Sequence, residues 1–155
     1  MNNIEIVSAT TQDDCDICDR MLEELMHFEK QFDNKIQPFC GGKHYNLEKV
    51  TTGNLFLVYA KINNTPVGFA MGRLNILKGF GNATNIVCLS TLFVKEKFRR
   101  MGVGTLLYNS FENWAKEKFG KDFAIEITAI NKNINALEFY KSLGYKPIRT
   151  TLRKE

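Results

Sequence analysis

Residues 93–107, FVKEKFRRMGVGTLL, set Arg99, Arg100, Gly102 and Gly104 between an apolar run and the start of an amphipathic stretch. A helix beginning near Gly102 or Val103 presents backbone N–H groups that have no intrahelical partner, together with the positive end of its dipole. Glycines at that turn let an anion approach the main chain closely, and the two arginines add charge-assisted contacts from the rim. The chemistry is that of phosphate binding. The chain has no Gly-Lys-Ser/Thr of a nucleoside triphosphate loop and no G-x-G-x-x-G with a downstream ribose acid, which disfavours both of those ligands. On the turn alone, a close-packed strand-to-helix corner with two solvated arginines is an equal alternative.

A second set of residues invites a metal reading. Cys15 and Cys18, with Cys40 and His44, give a C-x2-C and C-x3-H spacing of the ligand types that zinc prefers. Cys15 and Cys18, however, fall within a helical pattern that also contains Met21, Leu22, Leu25, Phe28 and Phe32, where free cysteine behaves as a small core hydrophobe. We therefore expect no metal. The start of the sequence, MNNIEIVSAT, lacks the order of a signal peptide, so the cysteines are expected as thiols in a cytoplasmic protein.

The elements that must hold these residues follow from periodicity. Residues 4–9 alternate as a first strand, and TTQDD caps a helix over about 12–33. A loop with one proline and paired glycines leads to a short helix near 46–52. Residues 55–77 read as a hairpin turning at NNT, and 85–94 as a strand that ends at the glycine turn. Val103, Leu106, Leu107, Phe111, Trp114 and Ala115 share one face of a helix over about 103–118. A strand over 123–130, a helix over 133–143 closed by Gly144, and a last strand at 145–152 complete the order. This is one α/β domain over 1–155, a mixed sheet with helices on both faces, in which the strands flanking the glycine turn and its helix are parallel.

With 155 residues, 44% of them hydrophobic, the chain is large enough for one sizeable core. Its net charge of +4 suits an anionic ligand. No apolar run approaches the ~18 residues of a membrane span, so no membrane partner is expected. Basic residues are scattered among acids, so no nucleic acid partner is expected either.

Two motifs together resemble the GNAT superfamily of acetyl-CoA-dependent N-acetyltransferases. The pattern [RQ]-x-x-G-x-[GA] after a strand is matched by Arg99, Gly102 and Gly104 after Leu92, Phe93 and Val94. The pattern N-x-x-A-x-x-F-Y-x-x-x-G-[FY] is matched by NINALEFYKSLGY: Asn133, Ala136, Phe139, Tyr140, Gly144 and Tyr145. The resemblance implies a twisted, mostly antiparallel mixed sheet of about six to seven strands, flanked by about four helices, with a parallel strand pair around the acyl-CoA site. It also implies acetyl transfer from acetyl-CoA, as co-substrate, to a primary amine of a small molecule or peptide, by direct attack in a ternary complex.

In that scheme the main chain of Leu92, Phe93 and Val94 contacts the pantetheine arm and supplies the oxyanion donor, because strands splay there. Arg99, Arg100, Met101, Gly102, Val103, Gly104 and Thr105 take the diphosphate. Asn133 and Ala136 lie along the arm, and Tyr140 protonates the departing sulfur. On the residues alone, Asn133 reads equally as a helix N-cap and Tyr140 as a core aromatic.

The sequence departs from the family at the base. Many relatives carry a carboxylate in the strand before the glycine turn, whereas residues 85–94 offer Cys88, Ser90 and Thr91. The neighbouring candidate is Glu126, placed by alternation on the face opposite Phe123, Ile125 and Ile127. Glu126 is equally an exposed sheet residue or a partner of a lysine. Acceptor recognition is expected from the first helix and the loops 34–46 and 78–85. The first of these loops carries too few acids for a strongly polycationic acceptor such as an aminoglycoside. The missing strand acid keeps a second function open, a degenerate acyl-CoA sensor or interaction module. The family resemblance is also compatible with a homodimer.

Overall fold

The computed structural model describes residues 3–38, 41–75 and 85–155. Its strands are β1 (Ile4–Ser8), β2 (Leu55–Ile62), β3 (Thr65–Asn75), β4 (Asn85–Val94) and β5 (Phe123–Ile127). Its helices are α1 (Gln12–Glu29), α2 (Leu47–Thr51), α3 (Val103–Phe119) and α4 (Ile134–Ser142). The strands form one sheet in sequence order, antiparallel from β1 to β4 and parallel between β4 and β5. The mixed sheet, its antiparallel majority and its parallel pair match the expected fold class.

Each helix start has a local cause. At α1 a capping box joins Thr11 and Asp14: the Asp14 N–H donates to Thr11 Oγ1 at 3.2 Å, and the Thr11 N–H donates to Asp14 Oδ2 at 2.9 Å. The Tyr59 hydroxyl donates to Asp14 Oδ1 at 3.0 Å and ties that end to β2. At α4, Asn133 Oδ1 accepts from the Ala136 N–H at 3.3 Å. The β2–β3 turn places Asn63 and Asn64 at φ 48° and 61°, the left-handed pair that two-residue hairpins require.

The sheet has a helical layer on each face. On one face, Val103, Leu107, Phe111 and Ala115 of α3 pack fully buried against Val58, Ala60, Val67 and Val87. On the other, Cys15, Cys18 and Met21 of α1 pack against Leu57, Tyr59, Phe69 and Phe93. Cys15 and Cys18 are buried thiols whose ionisation is pushed up, chiefly by burial. Cys40, the third residue of the zinc spacing, lies outside the described residues.

Three boundaries differ from the sequence expectation. Helix α1 ends at Glu29 instead of near residue 33, and a turn continues it, with the Asp33 N–H bonded to the Glu29 carbonyl at 3.1 Å. Strand β5 ends at Ile127 instead of 130, because its ladder with β4 closes at Leu89↔Ile127. Residues 145–152 are not a strand, so the described residues hold five strands rather than six to seven. Pro147 has no N–H for a ladder. Side-chain pairs hold the segment instead: Arg149 lies 3.6 Å from Glu126, and Arg153 makes a two-pronged pair with Asp33 at 2.7 and 2.8 Å.

Candidate active site

The β3–β4 register slips between Met71 and Gly72: Met71 faces Thr91 while Gly72 faces Leu89, leaving Ser90 as an extra residue in β4. Such a bulge bends its strand. The bend coincides with the end of the β4–β5 ladder at Leu89. Past that point β4 stays paired to β3 as far as Val94, while residues 128–130 leave the sheet. Backbone groups of β4 on the β5 side are thereby freed for another partner.

A cleft of about 590 Å³ occupies this divergence. Its walls are the C-terminal half of α1 from Leu22 to Glu29, the segment Leu89–Val94, the glycine turn, residues 128–130 and α4. Leu92, Phe93, Val94, Arg99, Arg100, Gly102, Gly104, Thr105, Asn133, Ala136 and Tyr140 all line it. Two motifs about thirty residues apart in sequence thus meet in one cavity. Three residues of the expected site are elsewhere. Val103 is fully buried in the α3 core, and Met101 points outward with 38% exposure. Glu126 stands in register with Cys88 on the sheet, and its carboxylate faces Arg149.

At one end of the cleft the start of α3 is bare. Gly102 is its N-cap in the left-handed region, φ 85°, and no side chain caps the helix. The first intrahelical bond runs from the Leu106 N–H to the Gly102 carbonyl at 3.1 Å, so the N–H groups of Val103, Gly104 and Thr105 have no partner within the helix. A Cβ on Gly102 would meet nothing within 4 Å, which is open space for an approaching anion. One on Gly104 would touch Phe139 at 3.7 Å and Val94 at 3.8 Å, ordinary contacts. Arg100 also holds a left-handed backbone, φ 64°, which an arginine adopts only at a cost. Arg99 is braced: its Nε–H donates to the Val94 carbonyl at 2.9 Å, and its guanidinium lies 4.6 Å from the Phe28 ring centroid.

On α4, Tyr140 packs edge-on to Phe139 and Tyr145, at centroid distances of 5.5 and 5.9 Å. Burial, with a further push from the Glu29 charge, raises its hydroxyl to about 12. It is therefore a phenol, not a phenolate, at neutral pH. Glu29, which the sequence did not single out, lines the same cleft, and burial raises its carboxyl above the ordinary value.

The loop before α2 is pinned to α1. Asp19, a buried carboxylate on α1, accepts from the His44 N–H at 3.1 Å and the Tyr45 N–H at 3.0 Å. Most of the second proposed acceptor loop, residues 78–84, lies outside the described residues. No helix among the described residues is long and apolar enough to cross a membrane.

The family model described as Acetyltransferase (GNAT) family matches residues 19–145. YobR, an uncharacterized N-acetyltransferase of Bacillus subtilis (strain 168), is 27% identical over 108 residues, covering 70% of this chain and 39% of its own length. The match thus spans about two fifths of that relative. Among solved structures, a tetramutant of the BH1408 protein from Bacillus halodurans has a TM-score of 0.76 at 19% identity, covering 97% of this chain and 99% of the other. The aminoglycoside N-acetyltransferase AAC(6')-Iy in complex with CoA has a TM-score of 0.68 at 17% identity, with 99% and 98% covered. At such identities the structural likeness is one of fold.

Proposed function

The chain belongs to the GNAT acetyltransferase family, and on that premise we propose that it transfers an acetyl group from acetyl-CoA to a primary amine of a small molecule or peptide by direct attack in a ternary complex. The observation that carries the reading is the single cleft joining an uncapped helix start, a freed stretch of β4 and a protonated Tyr140. The diphosphate belongs at the N–H groups of residues 103–105, with Arg100 at the rim and Gly102 leaving the approach open. Asn133 keeps its cap through Oδ1 and retains its amide N–H groups for the arm of the co-substrate. Met101 and Val103 serve through their backbone only.

In the reaction, the main chain of β4 past the bulge holds the thioester and offers an N–H to the oxygen on which charge develops. Tyr140 gives its proton to the sulfur as the C–S bond breaks. Holding both reactants in attack geometry supplies much of the remaining acceleration. Glu126 remains a proposed base, and its ion pair with Arg149 and its place outside the cleft argue for a supporting role. The absence of a carboxylate from β4 favours one other reading, a module that binds acyl-CoA and catalyses nothing.

Calorimetric titration with acetyl-CoA, followed by thiol release against a panel of amines and peptides, separates them. Saturable binding with turnover is the expected result. Binding without turnover across the panel supports the sensor, and no binding by the folded protein removes both.

A further inference from the structure

Glu29 is the last residue of α1, half-buried and on the wall of the cleft that also holds Tyr140. Some carboxylates of this protein are matched to cations, among them Glu5 to Lys61, Glu24 to Lys95, Glu112 to Lys116 and Glu126 to Arg149. The Glu29 carboxylate makes no hydrogen bond or ion pair among the described residues. It also sits at the negative end of a helix dipole, where an anion is disfavoured. Arg99, the cation on the same cleft wall as Phe28, is engaged with the Val94 carbonyl and the Phe28 ring. A half-buried charge in such a place is costly unless something else compensates it.

We infer that Glu29 is the group that receives the acceptor's ammonium and takes its proton, so that the substrate class is a cationic primary amine. This rests on the acetyltransferase reading above and adds to it the base and the charge of the acceptor. Glu29 and Tyr140 line one cavity, and the Glu29 charge reaches the Tyr140 hydroxyl, so base and acid share the space proposed for the thioester. The ammonium gives one proton to the Glu29 carboxylate, and the nitrogen lone pair then forms the C–N bond. As the C–S bond breaks, the sulfur takes the Tyr140 proton, and the second proton on nitrogen restores the phenol. Glu29 releases its proton to solvent, which leaves amide, free thiol and one proton. The charged and titratable groups lining the cleft are Arg99 and Arg100 beside the glycine turn, Glu138 and Tyr140 on α4, and Glu29 itself. Burial holds the Glu29 carboxyl above its usual range, which brings it nearer the pH at which an amine proton must be taken.

The test is Glu29→Gln, close in shape to the original and uncharged, compared with wild type and Glu126→Gln. Acetyl-CoA affinity, read by calorimetry, should stay within about threefold, which separates this proposal from the reading beneath it: wild-type protein that binds no acetyl-CoA sinks that reading itself. With spermidine, ethylamine and an unblocked tripeptide as acceptors, kcat/KM should fall about 10²- to 10⁴-fold in Glu29→Gln, the usual scale of a lost general base. The acid limb set by the Glu29 carboxyl should vanish, replaced by a rise at higher pH that follows deprotonation of the amine itself and restores part of the rate. An arylamine, uncharged at neutral pH, should lose much less, a difference that a merely structural role would not produce. If none of the three turns over, proton NMR of ethylammonium with the acetyl-CoA-saturated protein decides: binding lost in Glu29→Gln supports the assignment. Unchanged kcat/KM and acid limb, ethylammonium binding equal in both proteins, or an acid limb lost only in Glu126→Gln would overturn it.

Discussion

Tyr140 and Arg100 show what single residues do in the cleft. Tyr140→Phe keeps the ring that packs on Phe139 and Tyr145 and removes only the proton held up to about 12. Turnover should fall about 10²-fold or more while acetyl-CoA affinity, measured by calorimetry, stays within about threefold. Wild-type turnover in this variant would end the acid assignment. Arg100 spends its backbone in a left-handed region that suits glycine, so Arg100→Gly relieves strain as it removes a rim charge. We expect an unchanged or slightly higher melting temperature together with acetyl-CoA binding about tenfold weaker, the scale of one charge-assisted hydrogen bond. Motif residues such as these were legible in the sequence because each signature is local. Glu29 was not: in the sequence it is one more polar residue in the last turns of an amphipathic helix. Only the fold brings it and Tyr140 to the walls of one cleft. For Glu126 the sequence left the opposite gap, since alternation assigns a face but not a neighbour, and the neighbour is Arg149.

Among the elements, β4 decides the site. Its type and span were legible from NIVCLSTLFV, but the bulge at Ser90 was not, because neither glycine nor proline marks it. The cause lies across the ladder. Gly72, opposite the slip, has the Phe111 ring of α3 lying directly against its backbone, and a Cβ there would overlap that ring. Phe111 is fully buried between the sheet, Phe56 and Trp114, with centroids 5.5 and 5.9 Å away, so it has little room to give. Gly72→Ala should therefore destabilise by about 1–3 kcal/mol, the usual cost of overpacking. That lowers the melting temperature by about 2–12 °C for a domain of this size. Calorimetric melting checks it, and an unchanged melting temperature would mean that helix and strand are not wedged at this point. The missing sixth strand has a similar lesson. Residues 145–152 carry strand-like residue types, yet the pairs Arg149–Glu126 and Arg153–Asp33 hold the segment by side chains, which no periodicity reports.

At the scale of the whole molecule, one sheet carries two cores, one under α1 and one under α3, and the cleft opens where both layers and α4 meet at the parting of β4 from β5. A ligand seated there touches elements from both layers, and since the layers share strands β1 to β4, its binding free energy should stabilise them as one unit. At acetyl-CoA a hundredfold above its Kd, mass action contributes about 2.7 kcal/mol. For a domain of this size that corresponds to a rise of about 5–11 °C in melting temperature, in a single transition. Hydrogen exchange locates the same effect. Amides of residues 90–94 that β3 leaves unpaired, and those of residues 103–105 at the bare start of α3, should slow on binding, because each gains a partner. Amides of β1 and β2, remote from the cleft and already paired, should change only as far as global stability changes. A melting shift with no slowing at residues 90–94 and 103–105 would place the ligand outside the cleft, and two separate transitions would show that the sheet does not couple its two cores.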